Sequence, residues 1–164
     1  MRRAVTAGLV AAVVGLAACG PSSGDDKNAG VGSPQREGDR KGAENAVRDY
    51  LRALIARNGE RACSHFTPEY RREVVDKNRD FARKHGADDC GELVSAVTAE
   101  AGPPTFEGQK LSESSIEKLK LVATVRVGGE EQNATVTGAQ GLQRYELHTS
   151  GGKWLIAEVE SAGG

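Results

Sequence analysis

The chain has 164 residues, which is the size of one ordinary domain with some sequence to spare. Its 22 basic and 23 acidic residues nearly balance, and the basic residues form no cluster. The balance argues against nucleic acid as a partner, because nucleic-acid-binding proteins gain affinity from grouped cations that displace counterions from phosphates.

The N-terminal segment has the pattern of an export signal. Arg2 and Arg3 supply positive charge, and residues 4–18 form a run without any charged residue. This run is short for a permanent transmembrane helix, which needs about 20 apolar residues. Other interpretations of this segment are an uncleaved membrane anchor, an ordinary secretory signal and a twin-arginine signal.

The motif Leu16-Ala17-Ala18-Cys19 closes this run and resembles the lipobox of bacterial lipoprotein precursors. In that family a signal peptidase cuts before the cysteine, whose thiol carries a diacylglyceryl group. The resemblance implies a signal peptide over 1–18 and a mature chain that begins at an acylated Cys19. It also implies the membrane as a partner through the lipid anchor, and a location on the extracytoplasmic side of the cell membrane. Two acyl chains hold a protein stably, whereas one holds it only weakly.

Residues 19–42 follow with a composition dominated by Gly, Ser, Pro, Asp and Lys. After Cys19, only Ala29 and Val31 are apolar, so the segment cannot bury enough surface to offset the entropy of ordering it. We therefore expect a flexible tether over 19–42 and a single folded domain over 43–161.

The first half of this domain has helical periodicity. An apolar stripe predicts a helix over 43–58 that ends at Asn58-Gly59, since glycine favours the left-handed conformation found at helix ends. Thr67-Pro68-Glu69 predicts another helix start, and Gly86 predicts its end. Asp89, with Glu92 three residues later, resembles a capping box that begins a further helix.

The second half alternates apolar and polar residues, which is typical of strands. The glycine pairs Gly128-Gly129 and Gly151-Gly152 predict tight turns between strands. Four strands are expected over 119–127, over 132–137, around Tyr145 and Leu147, and over 154–159. The chain is therefore predicted to be an α+β domain, with N-terminal helices packed on a curved four-stranded antiparallel sheet.

The opening helix, the Thr67-Pro68 helix start and the closing Gly151-Gly152-Lys153-Trp154 strand together resemble the nuclear transport factor 2-like, or cystatin-like, domains. Such domains occur in actinobacterial lipoproteins. The resemblance implies an α+β fold, but it does not assign a function, because this fold hosts isomerases, dehydratases and non-catalytic binders.

Cys63 and Cys90 form an even pair once Cys19 is set aside, and in an exported domain such a pair is expected to form a disulfide. The alternative is a metal site that adds His65 and His85. The spacing lacks the close pairs typical of zinc sites, so neither a metal nor a cofactor is expected.

Catalytic residues are not assigned. In enzymes of the fold that the chain resembles, an acid or a His–Asp pair lies between helix and sheet. Most of the available side chains are expected on solvated helix faces, and His148 is expected on the outer face of a strand. The candidates considered are Asp49, His65, Asp76, Asp80 and His85.

The favoured hypothesis is a non-enzymatic binding or interaction module for an unknown envelope protein or a small apolar ligand. The residues expected to wall an apolar groove between helix and sheet are Leu54, Ile55, Val125, Leu147 and Trp154, and the same spacing fits plain core. The alternative function is a small cone-shaped isomerase or hydro-lyase that acts on a hydrophobic substrate.

Overall fold

The structure is a computed structural model that describes residues 34–102, 104–106, 109–128, 131–138 and 143–161. All of them belong to one compact unit, Gly32–Gly164. The predicted signal peptide, Cys19 and the first part of the predicted tether lie outside the described residues. The fold is α+β, as predicted: helices precede a four-stranded antiparallel sheet that does not close into a barrel in the part described.

The described elements comprise six helices and six strands. The helices are α1 (Pro34–Ile55), α2 (Gly59–Ser64), α3 (Pro68–Lys77), α4 (Arg79–His85), α5 (Cys90–Ala101) and α6 (Glu113–Ile116). The strands are β1 (Thr105–Phe106), β2 (Gln109–Lys110), β3 (Leu121–Gly128), β4 (Glu131–Gly138), β5 (Gln143–Ser150) and β6 (Lys153–Ser161). Strands β1 and β2 pair with each other, and the main sheet has the order β3-β4-β5-β6.

Helix α1 begins at Pro34, so the predicted tether is wrong over 34–42. Within this stretch Lys41 pairs with Glu37 one helical turn earlier, at 3.2 Å. Gly42 lies against the indole of Trp154, where a Cβ atom would come within 2.9 Å of Nε1. A local ion pair and the contact of Gly42 with the sheet therefore both favour helix in a segment whose composition is that of a linker.

The turn after α1 differs from the prediction in its detail. Helix α1 ends at Ile55, and Arg57 takes the left-handed conformation, with φ 54°. Asn58 instead caps α2, since its side-chain oxygen accepts a hydrogen bond from the backbone N–H of Arg61 at 2.8 Å. Asn58-Gly59 therefore begins a helix instead of ending one.

Gly59 is required by a close contact between α2 and α5. A Cβ atom on Gly59 would lie 1.9 Å from the carbonyl oxygen of Gly91, and a Cβ atom on Gly91 would lie 3.1 Å from the Cα of Glu60. The Gly59 N–H donates to Ser95 Oγ at 3.1 Å. The two helices thus touch backbone to backbone at their N-terminal ends.

The predicted starts of α3 and α5 and the end of α4 are confirmed. Thr67 Oγ1 accepts a hydrogen bond from the Tyr70 N–H at 3.2 Å, and Asp89 Oδ1 accepts one from the Glu92 N–H at 2.9 Å. Gly86 ends α4 with φ 63°. Each of these signals involves residues close together in the sequence, so each can be recognised from the sequence alone.

The sequence analysis missed a helix break and several short elements. Asn78 separates α3 from α4, and its side-chain amide donates to the carbonyl oxygen of Val74 at 2.8 Å. The β1–β2 hairpin and α6 were not predicted, because two-residue strands and a single helical turn carry no periodic signal.

The core lies between α1 and the inner face of the main sheet. Strand residues at alternate positions are buried there, as the period-two pattern predicts. A register shift between Glu146 and Leu147 marks an irregularity of the kind that bends a sheet. The buried members from α1 and the sheet are Ala43, Val47, Leu51, Leu121, Ala123, Ala134, Val136, Tyr145, Leu147 and Ile156.

The segment between α2 and α3 pairs with the outer edge of β6. Phe66 forms a parallel bridge to Ile156. The Ile156 N–H donates to the carbonyl oxygen of His65 at 2.7 Å, and the Thr67 N–H donates to that of Ile156 at 2.9 Å. Two backbone hydrogen bonds therefore fix the helical half of the chain to the sheet. At the opposite edge, β3 has no partner strand among the described residues.

An aromatic cluster fills the space around this bridge. The ring of Phe66 lies 5.2 Å from that of Tyr50 and 4.9 Å from that of Tyr70, centroid to centroid. Tyr50 also contacts Tyr145 edge to face at 6.2 Å. The Tyr70 hydroxyl accepts a hydrogen bond from the Val159 N–H at 3.2 Å, which adds a second contact between α3 and β6.

We expect Gly59→Ala to lower the free energy of unfolding by about 1–3 kcal/mol, because the added methyl group must push α2 away from α5. Gly38→Ala is the matched control: it lies in α1 with no atom near its Cβ position, so it should raise stability by roughly 0.5–1 kcal/mol. Urea unfolding of both variants measures the difference. A Gly59→Ala protein as stable as the wild type would contradict the close contact.

Candidate functional site

An open cleft of 1510 Å³ lies between α2, α3 and the start of α5. The turn after α1 and the loop between α4 and α5 complete its walls. The cleft includes the Gly59–Gly91 contact, so its shape depends on how closely α2 and α5 approach. We take this cleft as the candidate site.

The disulfide Cys63–Cys90 lies in the wall of this cleft. The two Cα atoms are 6.1 Å apart, and the cysteines are 5% and 7% exposed. The predicted bond is therefore present, and it joins α2 to the first residue of α5. Because both sulfurs are bonded to each other, they cannot serve in the alternative metal site with His65 and His85. Among the described residues, no group of three His, Cys, Asp or Glu side chains is arranged to hold a metal ion.

The cleft is lined by charges of both signs. Three arginines and five carboxylates contribute, so the charge of its walls is net negative. The arginines are Arg57, Arg71 and Arg72, and the carboxylates are Glu60, Asp76, Asp88, Asp89 and Glu92. Such a surface offers charged and hydrogen-bonding groups to a polar partner.

One of these charged side chains, Arg71, is only partly satisfied by hydrogen bonds within the protein. Its Nη2 donates one long hydrogen bond, of 3.4 Å, to the carbonyl oxygen of Ser64. Its Nε is shielded from solvent and has no hydrogen-bond partner. The sequence analysis did not select Arg71, although the sequence holds a signal for it. Arg72 has an acidic residue, Glu69, three positions earlier, whereas Arg71 has Pro68 at that position.

The acidic candidates from the sequence are ion-paired along their own helices. Asp49 pairs with Arg52, Asp76 with Arg79 at 2.7 Å, and Asp80 with Arg83. The three carboxylates lie on three different helices and do not converge. Only Asp76 lines the cleft.

The three histidines lie on different parts of the chain: His65 follows α2, His85 ends α4 and His148 lies on β5. His65 is partly buried; this burial lowers its pKa, an effect that the nearby Asp49 opposes. His85 lies in the cleft wall, stacks on Phe81 with centroids 4.2 Å apart, and has its Nε2 3.1 Å from a carboxylate oxygen of Glu100. His148 is exposed on β5, where the alternation placed it.

Tyrosine hydroxyls are poor candidates for a base between helix and sheet. Burial raises the pKa of Tyr50, Tyr70 and Tyr145 above the ordinary value for tyrosine. All three therefore stay protonated at neutral pH.

The residues predicted to wall an apolar groove belong to the core and its margin. Leu147 is 0% exposed within the core cluster. The other four are partly buried and pack against that cluster, with Trp154 placed over Gly42 of α1. None of the five lines the cleft; the remaining three are Leu54, Ile55 and Val125.

Comparisons of the chain with protein-family models, with curated proteins and with solved structures find no match. The described residues include no helix that is both long enough and apolar enough to cross a membrane.

We expect His65 to make the domain less stable in mild acid. Its pKa in the folded state lies below that of the unfolded chain, about 6.5, so the unfolded state takes up the proton first. The stability is complete above this pH and falls as the pH drops from about 7 towards the lower pKa of folded His65. Urea unfolding as a function of pH should show a shallower loss for His65→Gln, and an unchanged loss for the exposed control His148→Gln. Equal profiles for wild type and His65→Gln would contradict the effect of burial.

We expect loss of the disulfide to destabilise the fold without changing the oligomeric state. The bond closes a loop with a sequence separation of 27, for which chain entropy predicts roughly 3–4 kcal/mol. The double variant Cys63→Ala/Cys90→Ala should melt at a lower temperature than the wild type. Reductant should lower the melting temperature of the wild type and leave that of the variant unchanged. Free thiols at both positions in protein purified from cells would contradict the bond.

Proposed function

We propose that the protein is an extracytoplasmic lipoprotein, anchored in the cell membrane through an acylated Cys19, whose α+β domain binds a partner without catalysing a reaction. The proposed binding site is the cleft between α2, α3 and α5. The partner we favour is a protein or polymer segment of the envelope instead of a small apolar ligand.

The Cys63–Cys90 disulfide is the observation that supports export. Structural disulfides persist in oxidising compartments and are rare in a reducing cytosol. The bond is accompanied by the Gly59–Gly91 contact, which permits the two helices to approach closely enough. Together with the motif that ends at Cys19, it favours a domain that folds after crossing the membrane.

The size and polarity of the cleft support binding of an extended partner. Pockets for small molecules typically measure about 300–1,000 Å³ and are lined mainly by apolar groups. At 1510 Å³, the cleft is larger and more open, and charged side chains occupy much of its wall. A chain segment with several polar groups fits this surface better than a compact apolar molecule.

The positions of the acid and histidine candidates favour binding over an isomerase or hydro-lyase. General acid–base catalysis needs such groups within hydrogen-bond reach of one reacting centre. Asp80 and His148 instead lie on separate surfaces, and Asp49, the carboxylate near His65, is already paired with Arg52.

The proposed anchor is tested by intact-mass analysis of protein from the producing cell. We expect a mature chain that begins at Cys19 and carries a diacylglyceryl group, and we expect Cys19→Ala to leave the protein unanchored or uncut. An unmodified N-terminus, or a retained signal segment, would contradict the lipoprotein assignment.

The proposed binding site is tested on the same preparation by capture of envelope components and mass spectrometry. Asp88→Arg reverses a charge in the cleft wall and should reduce retention of the partner by about tenfold or more. The control Asp80→Arg makes the same change on exposed α4, outside the cleft, and should retain the partner. If a well-folded His65→Ala or Asp49→Ala protein lost all cellular function while Asp88→Arg kept it, catalysis would replace binding as the explanation.

A further inference from the structure

Helices α3 and α4 carry four arginines, of which three are neutralised in the same way. Arg72, Arg79 and Arg83 each pair with a carboxylate three residues earlier in the chain. Their partners are Glu69, Asp76 and Asp80. Arg71 breaks the pattern, because the residue three positions before it is Pro68 and neither helical neighbour on the following turn, Val74 nor Val75, is charged.

The surroundings of Arg71 do not replace the missing carboxylate. A guanidinium is a cation with five N–H donors, and a charged donor without an acceptor is costly when water is excluded. Arg71 has the single 3.4 Å bond from Nη2 to Ser64, and its shielded Nε donates to nothing. Within the described residues it takes part in no ion pair, although it lies in the wall of the cleft. The cleft therefore contains a guanidinium whose shielded Nε makes no hydrogen bond and whose Nη2 makes one long bond.

A carboxylate is the group that completes such a fork. Its two oxygens accept two parallel hydrogen bonds from a guanidinium, and these charge-assisted bonds are stronger than bonds between neutral groups. A rotation of the Arg71 side chain towards the cleft would bring Nε out of its shielded position and present Nε and Nη2 together. An apolar ligand could not accept these hydrogen bonds from Arg71.

The other charges of the cleft restrict what can carry that carboxylate. Five carboxylates oppose three arginines in the walls, so a polyanion or a phosphate with several negative charges would be repelled. A single carboxylate on a neutral or basic body would be tolerated. Among the acidic groups, exposed Asp88 and Glu60 are placed to attract a cationic group on the same ligand.

We propose that Arg71 binds the C-terminal carboxylate of a peptide whose remaining residues lie along the cleft. This inference rests on the proposed function, since it names the ligand chemistry of the same cleft. An extended peptide also supplies backbone groups for the polar walls, and a cleft of 1510 Å³ accommodates several residues.

The test is calorimetric titration of the full chain with the tripeptide Lys-Ala-Ala and with its C-terminal amide. We expect the free carboxylate to bind about tenfold or more tightly than the amide, which corresponds to about 1.4 kcal/mol. Arg71→Gln should remove this preference. The matched control Arg83→Gln changes an arginine of α4 that is paired with Asp80 and lies outside the cleft, and it should keep the preference. Arg71→Lys retains a charge but lacks the fork, so its preference should be intermediate.

Three results would overturn the assignment: equal affinity for the peptide and its amide, a preserved preference in Arg71→Gln and Arg71→Lys, or no binding of the peptide at millimolar concentration. Acetate is a further arm, because competition by acetate as effective as that of the peptide would indicate a free small acid as the ligand. If Asp88→Arg abolishes capture of an envelope partner while both Arg71 variants retain it, the Arg71 assignment fails and the proposed function stands. If the wild type captures no envelope partner but prefers the free carboxylate over the amide, the proposed function fails and the Arg71 assignment stands.

Discussion

The backbone pairing of residues 65–67 with Ile156 is the constraint on which the arrangement of the domain depends. The segment is only three residues long, yet α2 leaves it on one side and α3 on the other. Buried backbone groups need partners, and here the edge of β6 supplies them. The pairing therefore fixes the directions of two helices at once. The aromatic cluster around Phe66 then fills the space that these directions create.

The cleft follows from this constraint together with the contact between α2 and α5. The strand edge orients α2, and the disulfide and the paired glycines hold α5 against it. The loop between α4 and α5 lines the same cleft. The concave surface is thus a by-product of joining three short helices through one strand edge and one covalent bond. No single helix of the group is long enough to be stable on its own.

Much of the fold could be predicted because its signals are local. The caps at Thr67 and Asp89 and the alternation in β3 to β6 involve residues close in sequence. The start of α1 could not be read from composition, and one contact in the added stretch, that of Gly42 with Trp154, joins residues more than a hundred positions apart. The same holds for Gly59, whose role depends on Gly91.

The candidate site was predictable in part. The cysteine pair was accessible from parity and the expected compartment, without knowledge of the fold. The cleft itself was not, because its walls come from separate segments that meet only in three dimensions. The groove residues were predicted only from the spacing that puts them on facing surfaces of helix and sheet. Such periodicity cannot distinguish the lining of a cavity from a filled interface. Arg71 lies between these cases: its missing acidic neighbour is visible in the sequence, but its position in the cleft is not.

The two edges of the main sheet differ in a way that bears on self-association. Strand β6 is occupied at its middle by the Phe66 bridge, which interrupts any run of backbone groups that an incoming strand would need. Strand β3 has eight residues and exposes Val122 and Val127, and no strand covers it among the described residues. Growth of the sheet by strand addition is therefore hindered at β6 by the Phe66 bridge, whereas the described residues put no such bridge on β3.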